Sequence, residues 1–139
     1  MVVLDTNHFS ELERGSIECE RLMHRVELSG EDPFTTVVTA EEVMSGWLAQ
    51  VRGRLSPERL LKAYGAFQNG IESLHGWTLP PWNADVSAIF DSLRRGGVRI
   101  GTMDLRIASI CLNYDAILLT RNLADFRRVP GLRVENWLD

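Results

Sequence analysis

The stretch Gly101-Thr-Met-Asp-Leu-Arg-Ile-Ala-Ser-Ile-Cys-Leu-Asn-Tyr-Asp-Ala-Ile-Leu-Leu-Thr-Arg-Asn-Leu-Ala-Asp-Phe126 decides the fold. Its first half places apolar residues at helical spacing, and its second half contains a short apolar run followed by polar side chains. The pattern predicts a helix, a tight turn and a strand that is buried on both faces. Asp104 opens the apolar stripe of the helix, where charged side chains are rare without a partner. We therefore expect Asp104 to have a cation, a hydrogen-bond network or a catalytic role.

Two earlier apolar runs extend this pattern to the whole chain. We predict strands at 1–5, 34–38 and 116–120, with a possible edge strand within 132–138. The apolar spacing predicts helices over 8–14, 17–28 and 57–75, one in the first half of 101–126, one beginning near Thr39, and another around Val86 and Phe90. Strands that alternate with helices indicate an α/β fold with a central, mainly parallel β-sheet flanked by helices. We expect a single domain over 1–139.

Composition and charge exclude several classes of protein. No run of apolar residues is long enough to span a bilayer, and the two cysteines lack the spacing of a zinc site or a disulfide framework. We therefore expect a cytoplasmic protein without a membrane partner. The net charge is −4, but residues 94–133 hold eight arginines against three aspartates. This local excess of arginine suits phosphate groups, although solvated surface explains it equally well.

The acidic residues follow the core-like segments. Right-handed crossovers bring the carboxyl ends of parallel strands to one edge, where α/β proteins bind ligands. That edge would receive Asp5, Glu41 or Glu42, and the polar cluster 120–125, while Asp104 joins them from a loop. Each acid also has a structural explanation as a helix cap, and Thr39 with Glu42 fits a capping box. Helical spacing leaves the choice between Glu41 and Glu42 open.

Convergent carboxylates repel one another unless they are protonated or bind a cation. Oxygen ligands without His or Cys favour Mg²⁺ or Mn²⁺ over zinc. A divalent ion held by Asp and Glu can stabilise charge on a phosphoryl oxygen. The acidic edge therefore predicts phosphodiester hydrolysis.

Four segments, taken together, resemble a known family in their order and spacing. They are Val3–Asn7, Val38–Gly46, Met103–Ala108 and Leu118–Leu132. They look like the successive motifs of PIN-domain ribonucleases, particularly the VapC-type toxins of bacterial toxin–antitoxin modules. The resemblance covers essentially the whole chain and implies a PIN-like fold.

The resemblance also implies functional residues. Asp5, Glu42 and Asp104 correspond to the acidic site that holds Mg²⁺ or Mn²⁺, and Glu42 is selected because the family's acid lies four residues before a glycine, here Gly46. Many PIN domains have a fourth acid where this chain has Asn122, so either Asn122 or Asp125 is the expected fourth site residue. Further candidates are Thr6, Asn7 and Thr120 as supports of the carboxylates, and Arg121, Arg127 and Arg128 as RNA-binding residues.

The family implies partners as well. They are an RNA substrate, a cognate antitoxin that blocks the site, operator DNA contacted only through the toxin–antitoxin complex, and a second copy in a homodimer. One alternative is a catalytically weak module that binds the antitoxin, which Asn122 favours. Another is a haloacid-dehalogenase-like phosphatase with Asp5 as nucleophile, but position 7 is Asn and Lys62 is the only lysine. The scattered histidines are interpreted as surface or half-buried side chains.

Overall fold

The computed structural model describes residues 1–139, which form four strands and seven helices. The four strands are all parallel, in the order β2-β1-β3-β4. The predicted α/β fold with a parallel sheet flanked by helices is therefore confirmed. In chain order the elements are β1 (Val2–Leu4), α1 (Thr6–Arg14), α2 (Ile17–Ser29), β2 (Pro33–Phe34), α3 (Val37–Val51), α4 (Pro57–His75), α5 (Ala84–Arg95), α6 (Thr102–Asn113), β3 (Ile117–Leu119), α7 (Leu123–Phe126) and β4 (Arg133–Glu135).

The two central strands are buried on both faces of the sheet. Val3 pairs with Leu118, and both side chains join a core that includes Ile107 of α6. Their neighbours Val2 and Leu119 belong to a second core on the opposite face, with residues of α1, α2 and the C-terminal tail. Successive side chains of a strand point to opposite faces, so an uninterrupted apolar run serves both cores.

The prediction of a strand over 34–38 is wrong for most of its length. Strand β2 ends at Phe34, and α3 begins at Val37 rather than at Thr39. The Thr36 hydroxyl accepts a hydrogen bond from the Thr39 amide at 3.0 Å and caps the helix. This cap turns a β-branched sequence, which favours a strand on propensity alone, into the first turn of a helix.

Helix α4 packs against α3. The indole of Trp47 on α3 lies over Gly70 on α4, where an added Cβ would overlap the ring. Trp47 also contacts Phe67 of α4 edge to face, with ring centroids 6.2 Å apart. Since α3 carries Glu42, this contact helps to fix the helix on which one of the predicted site residues lies.

None of the seven helices combines the length and the hydropathy that crossing a membrane requires.

Candidate active site

A cavity of about 170 Å³ opens at the carboxyl edge of the sheet. Asp5 directly follows β1, and Asn122 lies shortly after β3. Glu42 lies in the second turn of α3, and Asp104 lies in the first turn of α6. Parallel strands and their connections bring these segments to one edge, although they are far apart in the chain. The full lining is Asp5, Thr6, Asn7, Glu42, Asp104, Ile107, Asn122 and Phe126.

Asp5 is held by a buried histidine. Its Oδ1 accepts hydrogen bonds from the backbone amide of His8 at 2.8 Å and from Nδ1 of the His8 ring at 3.2 Å. Nε2 of His8 accepts the Trp137 amide at 3.4 Å, so the hydrogen-bond network assigns the ring proton to Nδ1. Oδ2 of Asp5 forms no hydrogen bond to the protein and remains available at the cavity.

The interpretation of His8 as a surface or half-buried side chain is therefore wrong, because none of its surface is exposed. His8 links the C-terminal tail to Asp5. The sequence carries only a weak signal for this role, since His8 lies three residues after Asp5 but its other partner lies at Trp137. A histidine that orients an acidic residue through one nitrogen while its second nitrogen is fixed by backbone is a common supporting arrangement at metal sites.

Glu42 is oriented by a threonine of α1. The Thr6 hydroxyl donates to Oε1 of Glu42 at 2.8 Å, and its oxygen lies 3.4 Å from the Thr39 hydroxyl. The alternative that Thr39 and Glu42 form a capping box is wrong, because the cap is Thr36 and Glu42 lies beyond the first turn. Glu41 is exposed and lines a different groove, so the structure places Glu42, and not Glu41, at the cavity.

The Asp104 carboxyl group is half-buried and lies close to other acidic side chains. Burial raises the pKa of Asp104 above its ordinary value of 3.8, and the negative charges of Glu42 and Asp5 raise it further. A hydrogen bond from Asn122 Nδ2 to Asp104 Oδ2, at 3.3 Å, opposes the rise only in part. The sequence correctly indicated that a charge in this position needs partners.

Asn122 connects Asp104 to Asp125. Its side-chain amide also donates to Oδ2 of Asp125 at 3.0 Å, and its backbone amide donates to the hydroxyl of Thr120 at 2.9 Å. Asn122 lines the acidic cavity, whereas Asp125 lies behind it and lines a neighbouring groove. Thr120 is fully buried and supports Asn122 rather than contacting a carboxylate.

The chemistry of the cavity fits a hard divalent cation. Three carboxylates and the side-chain amides of two asparagines line a polar space, and the neighbouring charges of Glu42 and Asp5 disfavour ionised Asp104 in the absence of a cation. No group of three or more His, Cys, Asp or Glu side chains has the spacing of an assembled metal centre in the structure. The fit therefore rests on the kind of donor atoms and their charge.

The three arginines predicted to bind RNA have different surroundings. Arg121 pairs with Asp139 at 3.2 Å, and Arg128 lies 3.6 Å from Asp125. Arg127 is exposed and forms no ion pair. Arg128 alone of these three lines a cavity next to the acidic site.

A family model described as the PIN domain matches residues 2–132. The chain belongs to the PIN-domain family. Its fold therefore agrees with the resemblance noted in the sequence, and the cavity described above lies within the matched residues.

Named relatives of this PIN domain carry the name VapC. The tRNA(fMet)-specific endonuclease VapC of Salmonella typhimurium is 28% identical over 118 residues, which cover 85% of each chain. Ribonuclease VapC1 of Rickettsia felis is 26% identical over 137 residues, which cover 96% of this chain and 93% of the relative. Among solved structures, the VapBC2 complex of Rickettsia felis bound to a promoter DNA fragment contains a chain with the same fold, with a TM-score of 0.74, 21% identity and 99% coverage of both chains.

Proposed function

We propose that this PIN domain is the endoribonuclease toxin of a toxin–antitoxin pair and acts in the cytoplasm. The observation that carries the proposal is the cavity in which Asp5, Glu42 and Asp104 converge at the edge of a parallel sheet. Membership of the PIN family and relatives named as ribonucleases support the choice of reaction. The name of the Salmonella relative makes initiator tRNA the first RNA to test.

Asp5, Glu42 and Asp104 would hold Mg²⁺ or Mn²⁺. Such an ion supplies Lewis-acid stabilisation of the negative charge on a phosphoryl oxygen. The chain's own residues orient the carboxylates, since His8 fixes Oδ1 of Asp5 and Thr6 fixes Oε1 of Glu42. Fixing these groups before substrate binds lowers the reorganisation that the reaction would otherwise require.

Asn122 would be the fourth residue of the site. Its amide lies between Asp104 and Asp125 and donates to both, so it reduces the repulsion between them. We assign Asp125 a supporting position behind Asn122, because it does not line the acidic cavity. Asn7 is exposed at the mouth of the same cavity and is a candidate contact for substrate.

The decisive experiment measures cleavage of a labelled tRNA by the purified protein with Mn²⁺, with Mg²⁺ and with EDTA. We expect cleavage that EDTA abolishes, and a loss of about a hundredfold or more in Asp5→Asn, Glu42→Gln and Asp104→Asn. Glu41→Gln is the matched control, because Glu41 is the adjacent acid on α3 and lies outside the cavity. Circular dichroism verifies that each variant is folded.

Two results would contradict the proposal. Equal cleavage by wild type and by all three cavity variants would remove the acidic site from the reaction. A folded protein that binds an antitoxin but cleaves no RNA with either ion would instead support the catalytically weak binding module. The phosphatase alternative has little support, because Lys62 lies on α4 and lines a separate groove with Ala49 and Arg59.

We further propose that the protein binds a small antitoxin, contacts operator DNA only within that complex and forms a homodimer. One solved structure with the same fold is a VapBC complex bound to promoter DNA. Helix α4 exposes Leu61, Tyr64 and Ile71, with 77%, 55% and 45% of their surfaces accessible. Several large apolar side chains exposed on one helix support a protein interface. Co-expression with a small neighbouring reading frame, followed by light scattering of the complex and of the free chain, tests these associations.

A further inference from the structure

A second, larger cavity adjoins the acidic site. It has a volume of about 600 Å³ and lies between the end of α5, the loop 96–101, the start of α6 and α7. Its charged lining consists of Arg94, Arg99, Arg128 and Asp125. We call this cavity the arginine groove. Three guanidinium groups and one carboxylate give it a local excess of positive charge in a chain whose net charge is −4.

Much of this positive charge is not neutralised within the protein. Arg94 and Arg99 form no ion pair, whereas Arg95, the neighbour of Arg94, pairs with Asp91 at 2.8 Å. Arg128 has one carboxylate near it, Asp125 at 3.6 Å, and donates to the Arg99 carbonyl at 3.3 Å. A groove with unpaired guanidinium groups is suited to bind phosphate, which accepts their hydrogen bonds and neutralises their charge.

One of these arginines is held in place by an aromatic ring. The guanidinium carbon of Arg94 lies 5.4 Å from the ring centroid of Phe90, which also lines the arginine groove. Phe90 in turn contacts Trp82 edge to face, with ring centroids 5.9 Å apart. A cation–π contact of this kind restricts the side chain without using its hydrogen-bond donors. Arg94 is therefore partly ordered while its N–H groups remain free for a ligand.

The arginine groove and the acidic cavity are adjacent, since the neighbouring residues Asp104 and Leu105 line one each. Asp125 lines the groove and accepts the amide of Asn122, and the same amide donates to Asp104, which lines the acidic cavity. Asn122 therefore connects a residue that lines the acidic cavity to a residue that lines the groove. The two cavities suit two neighbouring phosphates of an RNA strand. The carboxylates suit the reacting phosphodiester, and the arginines suit an adjacent phosphate.

We propose that the arginine groove binds backbone phosphates of the same single RNA strand whose scissile bond lies at the acidic cavity. The inference rests on the proposed ribonuclease function and adds Arg94 and Arg99 to the substrate-binding residues. Contacts to phosphate do not depend on the base, so the groove would contribute affinity and register rather than sequence preference.

The test measures RNA binding in the absence of metal, separately from cleavage. A fluorescein-labelled oligouridylate is titrated with protein in EDTA, and its anisotropy is followed at several salt concentrations. Arg94→Gln and Arg99→Gln should each weaken binding about fivefold to tenfold at low salt and reduce the salt slope by about 0.7 to 1. Arg95→Gln is the matched control and should bind as wild type does, because Arg95 lies outside the groove and is paired.

The outcomes separate this inference from the proposed function. If the protein cleaves RNA but Arg94→Gln and Arg99→Gln bind the oligonucleotide as tightly as wild type, the proposal that the groove binds RNA is wrong. The proposed ribonuclease function is then unaffected. An equal loss in Arg95→Gln would also overturn it, because the effect would then reflect total charge. If both groove variants keep their RNA affinity but bind an acidic peptide more weakly than wild type, the groove serves a protein partner and the proposal is wrong. Wild type that neither binds nor cleaves RNA overturns both.

Discussion

Replacing Asp104 with Asn should stabilise the metal-free protein while abolishing its activity. In the native protein, burial and the charges of Glu42 and Asp5 disfavour the ionised carboxylate, and the hydrogen bond from Asn122 compensates only in part. The amide of the variant is neutral, keeps nearly the same volume, and still offers Asn122 an oxygen to accept its hydrogen bond. The substitution thus removes a repulsive charge and creates no cavity.

The direction of the pKa shift fixes the sign of the effect. Because the pKa of Asp104 is raised in the native state, the native state binds more protons than the unfolded state at pH values between the ordinary value of 3.8 and the raised native pKa. Stability of the wild type therefore falls as pH rises from there through the raised native pKa. The variant lacks this loss, so its advantage should be absent well below pH 3.8, increase with pH, and level off above the native pKa.

The expected advantage is modest. Asp104 is only partly buried, so solvent screens its repulsion from the other carboxylates. Removing an unfavourable interaction from a functional site commonly raises the free energy of unfolding by about 0.5–2 kcal/mol. We expect an increase of about 1 kcal/mol for Asp104→Asn at neutral pH. For a chain of this size, that free energy corresponds to an increase of about 3–5 °C in the midpoint of thermal unfolding.

Urea unfolding in EDTA at several pH values measures this difference. The matched control is Asp91→Asn on α5, whose carboxylate is exposed and pairs with Arg95, and it should change the free energy of unfolding by less than about 0.5 kcal/mol. Added Mn²⁺ should stabilise the wild type but not Asp104→Asn, since only a site that binds the ion gains from it. A variant that is less stable than wild type at neutral pH, or an advantage that does not shrink on acidification, would refute the reasoning.

Three further substitutions test the packing and the hydrogen bonds that support the site. Gly70→Ala should lower the free energy of unfolding by about 1–2 kcal/mol, because its Cβ would overlap the indole of Trp47. Gly65→Ala on the same helix meets no atom within 4 Å and should instead raise it by about 0.5–1 kcal/mol, and urea unfolding distinguishes the two. His8→Phe keeps a buried ring but loses the hydrogen bond to Asp5, so it should cost about 1–3 kcal/mol and weaken Mn²⁺ binding about 10- to 100-fold in calorimetric titrations. Unchanged Mn²⁺ affinity in His8→Phe would show that Asp5 does not need this support.

The sequence predicted the parts of the fold that depend on local patterns. Apolar runs located β1 and β3, and helical spacing with the Ser56 cap located α4 with the observed bounds of 57–75. Prediction failed where a single side chain decided between two local structures. At residues 35–38 the β-branched sequence favours a strand, but the Thr36 hydroxyl caps a helix, and propensity does not include that hydrogen bond.

Sequence indicated which residues approach the cavity but not how they are connected. The ends of parallel strands placed Asp5 and either Glu41 or Glu42 at one edge, with Asp104 joining from a loop, and the family resemblance selected Glu42. It did not assign His8 a partner at Trp137, which is 129 positions away in the chain. Arg94 and Arg99 were part of a recognised excess of arginine, but their unpaired state depends on which carboxylates lie near them in space. Individual side-chain contacts of this kind between distant segments carry no signal in a single sequence.

The supports of the three acids explain why the site depends on the whole fold. Asp5 is held through His8 by the C-terminal tail, Glu42 by Thr6 of a different helix, and Asp104 by the residue that follows β3 at Asn122. No acid is held only by its own element, so the cavity forms only when the sheet, α1, α3 and α6 have assembled. This arrangement holds the carboxylates close to one another at some cost in stability, and a bound cation would offset that cost. Stability and function are therefore opposed at Asp104, which is why its neutral variant should be the more stable and the less active protein.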